Sequence, residues 1–156
     1  MALTSSEIRG VMIPVTGGRV LLPNASIAEV ITLTVPEPVA GAPSWLLGRI
    51  PWRGWRLPLV AYAVLTGLAG EEGSVHARVA VLKALGAHPR MPYLAMLTQG
   101  FPRLVTLTPE VLMPSGSSEA PSLGVRSEVM LRDEPALIPD LAALEAQLLA
   151  VLKLAA

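Results

Sequence analysis

Apolar residues fall in short runs that glycine, proline or small polar residues separate. Residues 76–85 show the pattern, since Val79 and Val81 alternate with Arg78 and Ala80, as in a strand with two different faces. Many short runs between turn residues favour a protein of β-strands joined by hairpins. The predicted strands cover residues 9–15, 20–22, 45–51, 55–60, 76–85, 93–98, 104–108, 125–131 and 136–138.

Three segments have features of helices. Asn24 can cap a short helix that extends to about residue 31, in which Ile27, Val30 and Ile31 share one face. That face can pack in the core or line a groove for a partner. Residues 61–68 predict a second short helix.

The third helix is predicted at the C-terminal end of the sequence. Asp140 can cap it, and leucines spaced three and four residues apart give it an apolar stripe as far as residue 154. The glycine and glutamate residues at 70–74 mark the expected boundary between the two halves of the chain.

The hairpin predicted at residues 45–60 holds all three tryptophans of the chain. Gly54 suits its turn because a residue without a Cβ readily adopts positive φ values. The turn places Arg53 at the tip, between Trp52 and Trp55. A guanidinium has five donors and a planar face, so we expect Arg53 to bind another protein and Trp52 to touch that partner. The alternative is an ordinary turn arginine, with tryptophans that pack in the core.

Composition narrows the class of protein. Of 156 residues, 52% are hydrophobic and 15% are charged, which argues against disorder. The longest uncharged run, residues 57–70, is shorter than the roughly 20 residues of a membrane-spanning helix. Formal net charge is zero, which gives no electrostatic footprint for nucleic acid. With no cysteine and no signal-peptide pattern at the N-terminus, we expect a cytoplasmic protein without membrane insertion.

No residue pattern indicates catalysis. His76 and His88 are not at the spacing of metal ligands, and no carboxylate pair flanks either of them. The serines near residue 117 are not in a nucleophile elbow. We therefore expect no enzyme activity, no catalytic residue, no metal and no cofactor.

Several motifs resemble those of CheW-like adaptor domains, which connect chemoreceptors to the CheA histidine kinase. The most specific is the central run of residues 45–48, Arg53-Gly54 and residues 57–60. Residues 20–23 and 27–31 resemble an apolar strand and the segment V-x-E-I-I of that family. Residues 137–141 resemble its final strand with Asp-Leu. The tryptophan-rich hairpin is similar to a ChpC-like branch associated with type IV pilus systems.

This resemblance implies a mainly β fold of two small five-stranded barrels, side by side, with short helices and a C-terminal helix. The first barrel is expected at about residues 16–68, the second at 9–15 plus 75–140, and the helix at 140–154. The implied partners are a methyl-accepting chemotaxis receptor and a CheA-type histidine kinase, and the implied output is control of type IV pilus twitching motility. The candidate partner-binding residues are Arg53, Gly54, Trp52, Arg49, Val30 and Ile31.

Two other functions stay open from the residues alone. One is a small-molecule-binding or enzymatic β-barrel, whose pocket would be lined by Trp52 and Trp55. The other is a protein that lies on a membrane surface, which the apolar composition would suit. The first predicts a deep cavity with polar groups beside both tryptophans.

Overall fold

Eleven strands and two α-helices form within residues 7–68, 77–86, 88–114 and 125–152, which are the residues that the computed structural model describes. The predominance of strands confirms a mainly β fold with a C-terminal helix. The helices are α1 (Tyr62–Thr66) and α2 (Leu141–Val151). The strands are β1 (Ile8–Val15), β2 (Gly18–Pro23), β3 (Ile27–Thr32), β4 (Leu46–Trp52), β5 (Trp55–Val60), β6 (Arg78–Lys83), β7 (Tyr93–Thr98), β8 (Arg103–Leu107), β9 (Leu112–Pro114), β10 (Val125–Leu131) and β11 (Glu134–Pro139).

The strands form two sheets. Sheet A has the order β8-β1-β2-β11-β10-β9, and sheet B has the order β3-β6-β7-β5-β4. Each contains one parallel pair, β2 with β11 and β5 with β7, among antiparallel neighbours. Sheet B has the five strands that were expected. Sheet A has a sixth, because the three-residue strand β9 pairs with the outer edge of β10.

Three apolar clusters stabilise this arrangement, since burial of apolar surface is the main favourable term in folding. One cluster lies in sheet B and a second in sheet A. The third contains residues from both sheets and both helices, so it joins the two halves of the molecule. Representative buried residues are Ile50, Leu59 and Val79 in the first, Met12, Leu21 and Val129 in the second, and Ile13, Leu82 and Leu144 in the third.

Two carboxylates position helix α2. Asp140 accepts a hydrogen bond from the backbone N–H of Ala143 at 3.0 Å, which is the predicted N-cap. Glu145 is only 5% exposed and accepts hydrogen bonds from the backbone N–H groups of Leu85 and Gly86, at 2.6 and 2.7 Å. These donors offset the desolvation of a buried carboxylate and fix the helix against the end of β6. The last two residues of the predicted helix, 153 and 154, lie outside the described residues.

Residues 27–32 form strand β3, so the helix predicted after Asn24 was wrong. Only a single 3-10 turn, Asn24–Ser26, precedes the strand, and its N-cap is Pro23 and not Asn24, with no side-chain cap bond. β3 pairs antiparallel with β6, with Val30 opposite Ala80 and Ile31 opposite Val79. Pairing with β6 provides hydrogen-bond partners for the backbone of this segment, and its β-branched residues favour the strand conformation. These effects are stronger than the helical spacing of three apolar side chains on which the prediction was based.

The sheets do not follow the predicted division of the chain. β2 lies in sheet A, not in a unit of residues 16–68, because a tight hairpin keeps it beside β1. β6 and β7 lie in sheet B, because they pair with β3 and β5. The two units are therefore interleaved in sequence. The boundary expected at 70–74, and His76, fall outside the part of the chain that the structure describes.

Candidate partner-binding surface

A two-residue turn of Arg53 and Gly54 connects β4 to β5. Both residues have positive φ, 45° for Arg53 and 82° for Gly54. Two successive positive φ values are typical of the type I′ turn, whose twist matches that of the paired strands. Gly54 adopts this conformation without strain, whereas Arg53 carries a Cβ that disfavours it. The Arg53 side chain is 69% exposed at the tip, as the sequence predicted.

The tryptophan before the turn is part of the core. Trp52 is 8% exposed, and its ring meets that of Tyr93 edge-on, with centroids 4.8 Å apart. The expectation that Trp52 touches a partner was therefore wrong. Its inward side chain follows from its strand position, because it shares a face with the buried residues Ile50 and Leu57. Trp55, on the other side of the turn, keeps 38% of its surface exposed.

Glu29 of β3 anchors the Arg53 guanidinium. One carboxylate oxygen, Oε1, accepts a hydrogen bond from Nε1 of Trp52 at 2.9 Å and another from Nη2 of Arg53 at 3.1 Å. The Arg53 guanidinium carbon also lies 4.9 Å from the centroid of the Trp52 ring, within cation–π range. β3 and β4 are the two edges of sheet B, so Glu29 links these edges beside the turn. The guanidinium is thus exposed and also held in one direction.

The backbone of β4 is fixed from its outer side. Arg49 exchanges two backbone hydrogen bonds with Glu37, both of 2.8 Å, so the segment after β3 covers part of this edge. Gly48 has a φ of 144°, and a Cβ at that position would lie 2.5 Å from the Glu37 carbonyl oxygen. Only glycine allows this close approach. Arg56 of β5 donates from Nη1 to both carboxylate oxygens of Glu37, at 2.9 and 2.8 Å.

The remaining candidate residues lie on the two edges of sheet B. Val30 and Ile31 are half-buried in β3, and Ile31 packs against the core of that sheet. Arg49 is half-buried in β4. The structure therefore brings Arg53, Trp52 and β3 together through Glu29, whereas Arg49 belongs to the outer side of β4.

Among the described residues, the cleft beside Trp55 differs from the deep cavity beside both tryptophans that a small-molecule site would need. The cleft at Trp55 has a volume of about 170 Å³, and Trp52 does not line it. Sites for drug-sized ligands usually measure about 300–1,000 Å³. This cleft therefore does not match the predicted pocket, which Trp52 and Trp55 would line together.

In residues 7–68, 77–86, 88–114 and 125–152, no group of three or more His, Asp or Glu side chains could hold a metal ion. No helix of those ranges combines the length and the apolar character needed to cross a membrane. The serines considered near residue 117 lie outside these ranges.

Comparisons with known proteins identify the family and the fold. The sequence model of one family, described as the CheW-like domain, matches residues 9–148. The chain belongs to the CheW-like domain family. A similar CheW structure is that of the scaffolding protein TtCheW from Thermoanaerobacter tengcongensis, with a TM-score of 0.73, 14% identity, and coverage of 90% of this chain and 89% of that chain. At this identity, the similarity establishes the shared fold. No curated protein sequence matches the chain.

The CheW-like match covers the Arg53 hairpin and nearly all of both sheets. Sequence reasoning missed the two carboxylates that organise this hairpin, Glu29 and Glu37. Glu29 had two available signals, since it is the single charged residue in the apolar run 27–31 and stands at the glutamate of the segment V-x-E-I-I that this run resembles. Glu37 had none, because a glutamate in a proline-rich segment is typical of an exposed loop.

Proposed function

We propose that this CheW-like protein is a scaffold that binds a methyl-accepting chemoreceptor and a CheA-type histidine kinase at the same time. The observation that carries the proposal is the Arg53 guanidinium, 69% exposed and held by Glu29 and Trp52. An anchored arginine loses little conformational freedom on binding, which is a property of interface hot spots. Family membership supports the same function, and a scaffold needs no catalytic residue.

Receptor binding fits the apolar surface beside the turn. Val30 and Ile31 on the edge strand β3 offer half-buried apolar side chains, and Glu29 and Arg53 give the same edge a charged border. An amphipathic helix of a receptor presents an apolar ridge, and apolar grooves with polar rims bind such ridges. We assign Val30, Ile31, Arg53 and Gly54 to this contact.

The cellular output is a further part of the proposal. The tryptophan-rich hairpin resembles the ChpC-like branch of these adaptors. We therefore propose that the protein acts in the cytoplasm and that its kinase partner controls type IV pilus twitching motility. Deletion of the gene is expected to abolish twitching while pili are still assembled. Normal twitching in the deletion strain would contradict the assigned output and leave the scaffold function intact.

A reconstitution tests the scaffold function. The purified protein is mixed with a receptor cytoplasmic fragment and a CheA-type kinase from the same organism, and complexes are recovered through a tag on the receptor. We expect the kinase to be recovered only when the adaptor is present, and Arg53→Glu to reduce that recovery strongly. Arg132→Glu, at the tip of the β10–β11 hairpin, is the matched control. Recovery with Arg53→Glu equal to wild type would contradict the assigned site.

A further inference from the structure

A cleft lined by arginines lies next to the β4–β5 hairpin, with a volume of about 170 Å³. Its cationic residues come from three separate segments: Arg49 from β4, Arg56 from β5, and Arg90 from the loop before β7. None of the described residues that line it is acidic. Three arginines line this one concavity, and among the described residues the nearby carboxylate of Glu37 pairs with Arg56 alone, so the cleft has a local excess of positive charge although the whole chain has zero net charge.

The charges of this cleft are only partly balanced. Arg56 is paired with Glu37, but only its Nη1 takes part in that interaction. Across the described residues, neither Arg49 nor Arg90 forms an ion pair with a carboxylate. The Nε of Arg49 is also buried with no acceptor. A buried donor without a partner costs free energy, and an anion in the cleft would reduce that cost by pairing with the Arg49 guanidinium.

The other walls of the cleft limit what fits inside it. Trp55, Tyr93 and Leu152 provide aromatic and apolar surface around the arginines. The volume is below the roughly 300 Å³ of the smallest usual cofactor sites, and it exceeds the share of about 30 Å³ that one water molecule occupies. An oxyanion of a few heavy atoms meets both limits, and the planar guanidinium fork matches carboxylate and phosphoryl oxygens.

We infer that this cleft is a binding site for a single oxyanion group, either a free phosphate or the carboxylate of an acidic peptide. Arg49 and Arg90 bind the oxyanion, and Arg56 provides a third positive charge while its ion pair with Glu37 is kept. The Trp55 indole forms the wall against which the group or its carrier lies. This site is separate from the Arg53 contact, so its existence does not depend on the scaffold function.

Nuclear magnetic resonance can test the site with defined probes. A uniformly ¹⁵N-labelled sample is titrated with inorganic phosphate, then in a second series with a hexaglutamate peptide, at an ionic strength held constant with sodium chloride. We expect saturable shifts of the Trp55 indole N–H and the Arg90 and Met91 amides with at least one probe. Phosphate alone would identify a free anion, and the peptide alone would identify a partner side chain. If neither phosphate nor the peptide produces saturable chemical-shift changes at these groups, the inference is overturned.

Substitutions then separate this site from general attraction to positive charge. Arg90→Gln is the first variant, because Arg90 is exposed and its removal leaves the core intact. We expect a loss of about tenfold in probe affinity, which is the size of one charge-assisted hydrogen bond. Arg49→Gln is expected to lose at least as much. The control Arg132→Gln also removes one exposed arginine, and an equal loss in this control would contradict a built site.

Discussion

Two hairpins of the molecule present an arginine at the first position of a two-residue turn. One is β4–β5, with Arg53, and the other is β10–β11, with Arg132. Both arginines have positive φ, 45° and 56°, and both are exposed. By backbone position alone, the two side chains would be equally good candidates for binding a partner.

The surroundings of the two arginines differ. Arg53 is hydrogen-bonded to Glu29 and lies over the Trp52 ring. Arg132 is held through its backbone, whose N–H donates to the Val111 carbonyl at 2.8 Å. Glu134, two residues further along the hairpin, pairs instead with Arg19 and Arg103. Among the described residues, no carboxylate pairs with the Arg132 guanidinium.

This comparison shows that a turn places a charge but does not orient it. Orientation at Arg53 depends on Glu29, which is 24 residues away in sequence, and on the Trp52 ring in the core of sheet B. A partner that meets Arg53 finds the side chain already ordered, so less conformational entropy is lost on binding. A partner that meets Arg132 would have to order it.

The largest expected effect concerns the residues before each turn. Trp52→Ala removes a buried aromatic side chain and should lower the free energy of unfolding by about 3–5 kcal/mol. Leu131→Ala, at the equivalent position of the other hairpin, removes fewer atoms and should lower it by less. Urea denaturation followed by circular dichroism measures both. A larger loss of stability for Leu131→Ala would contradict the expectation that Trp52 contributes more to the stability of the fold than Leu131 does.

The second position of each turn should give the next largest effect. Gly54→Ala places a Cβ in open space but at a φ of 82°, so it should cost about 1–2 kcal/mol of stability through backbone strain alone. Asp133 does not have positive φ, and Asp133→Ala should change stability by less than about 0.5 kcal/mol. Equal losses from the same denaturation experiment would refute the difference in turn type.

The pairing of Arg53 with Glu29 should be measurable and small. A double-mutant cycle with Arg53→Gln and Glu29→Gln is expected to give a coupling free energy of about 0.2–1 kcal/mol, the range for exposed ion pairs. A second cycle with Arg132→Gln and Glu134→Gln should give no coupling. Coupling in the second cycle but not in the first would reverse the comparison.

The smallest effect is electrostatic and belongs to the β10–β11 hairpin. The hydrogen bond from Arg103, aided by the charges of Arg103 and Arg19, holds the pKa of Glu134 below its ordinary value of 4.5. A lowered pKa in the folded state stabilises the fold above the ordinary value, and this contribution disappears as pH falls through the lowered pKa. In a carboxyl titration by nuclear magnetic resonance, Arg103→Gln should raise the pKa of Glu134. Arg132→Gln should leave it unchanged, and an equal rise there would count against the assigned pairs.

Much of the fold could be predicted from the sequence because hairpins are local. Gly54 between two apolar runs indicated the β4–β5 turn, and Asp140 before spaced leucines indicated helix α2. The distribution of strands between sheets could not be predicted in this way. It depends on pairings between distant segments, such as β3 with β6, which leave no period in the sequence.

The candidate site was predictable to the same extent. The exposed position of Arg53 follows from the turn, which is a local feature. The direction of the Trp52 side chain and the Glu29 contact depend on the closing of sheet B, and no short-range pattern reports them. For that reason Trp52 was expected to contact a partner at the surface but is buried in the core. Glu29 was not among the predicted partner-binding residues for the same reason.

One measurement tests the central claim that the anchored arginine is the binding contact. Calorimetric titration of the receptor cytoplasmic fragment is carried out with wild type, Arg53→Ala and Arg132→Ala. We expect Arg53→Ala to weaken binding by about 2 kcal/mol or more, as a hot spot does, and Arg132→Ala to change it by less than about 0.5 kcal/mol. Wild-type affinity in Arg53→Ala, or the same loss in both variants, would contradict the claim.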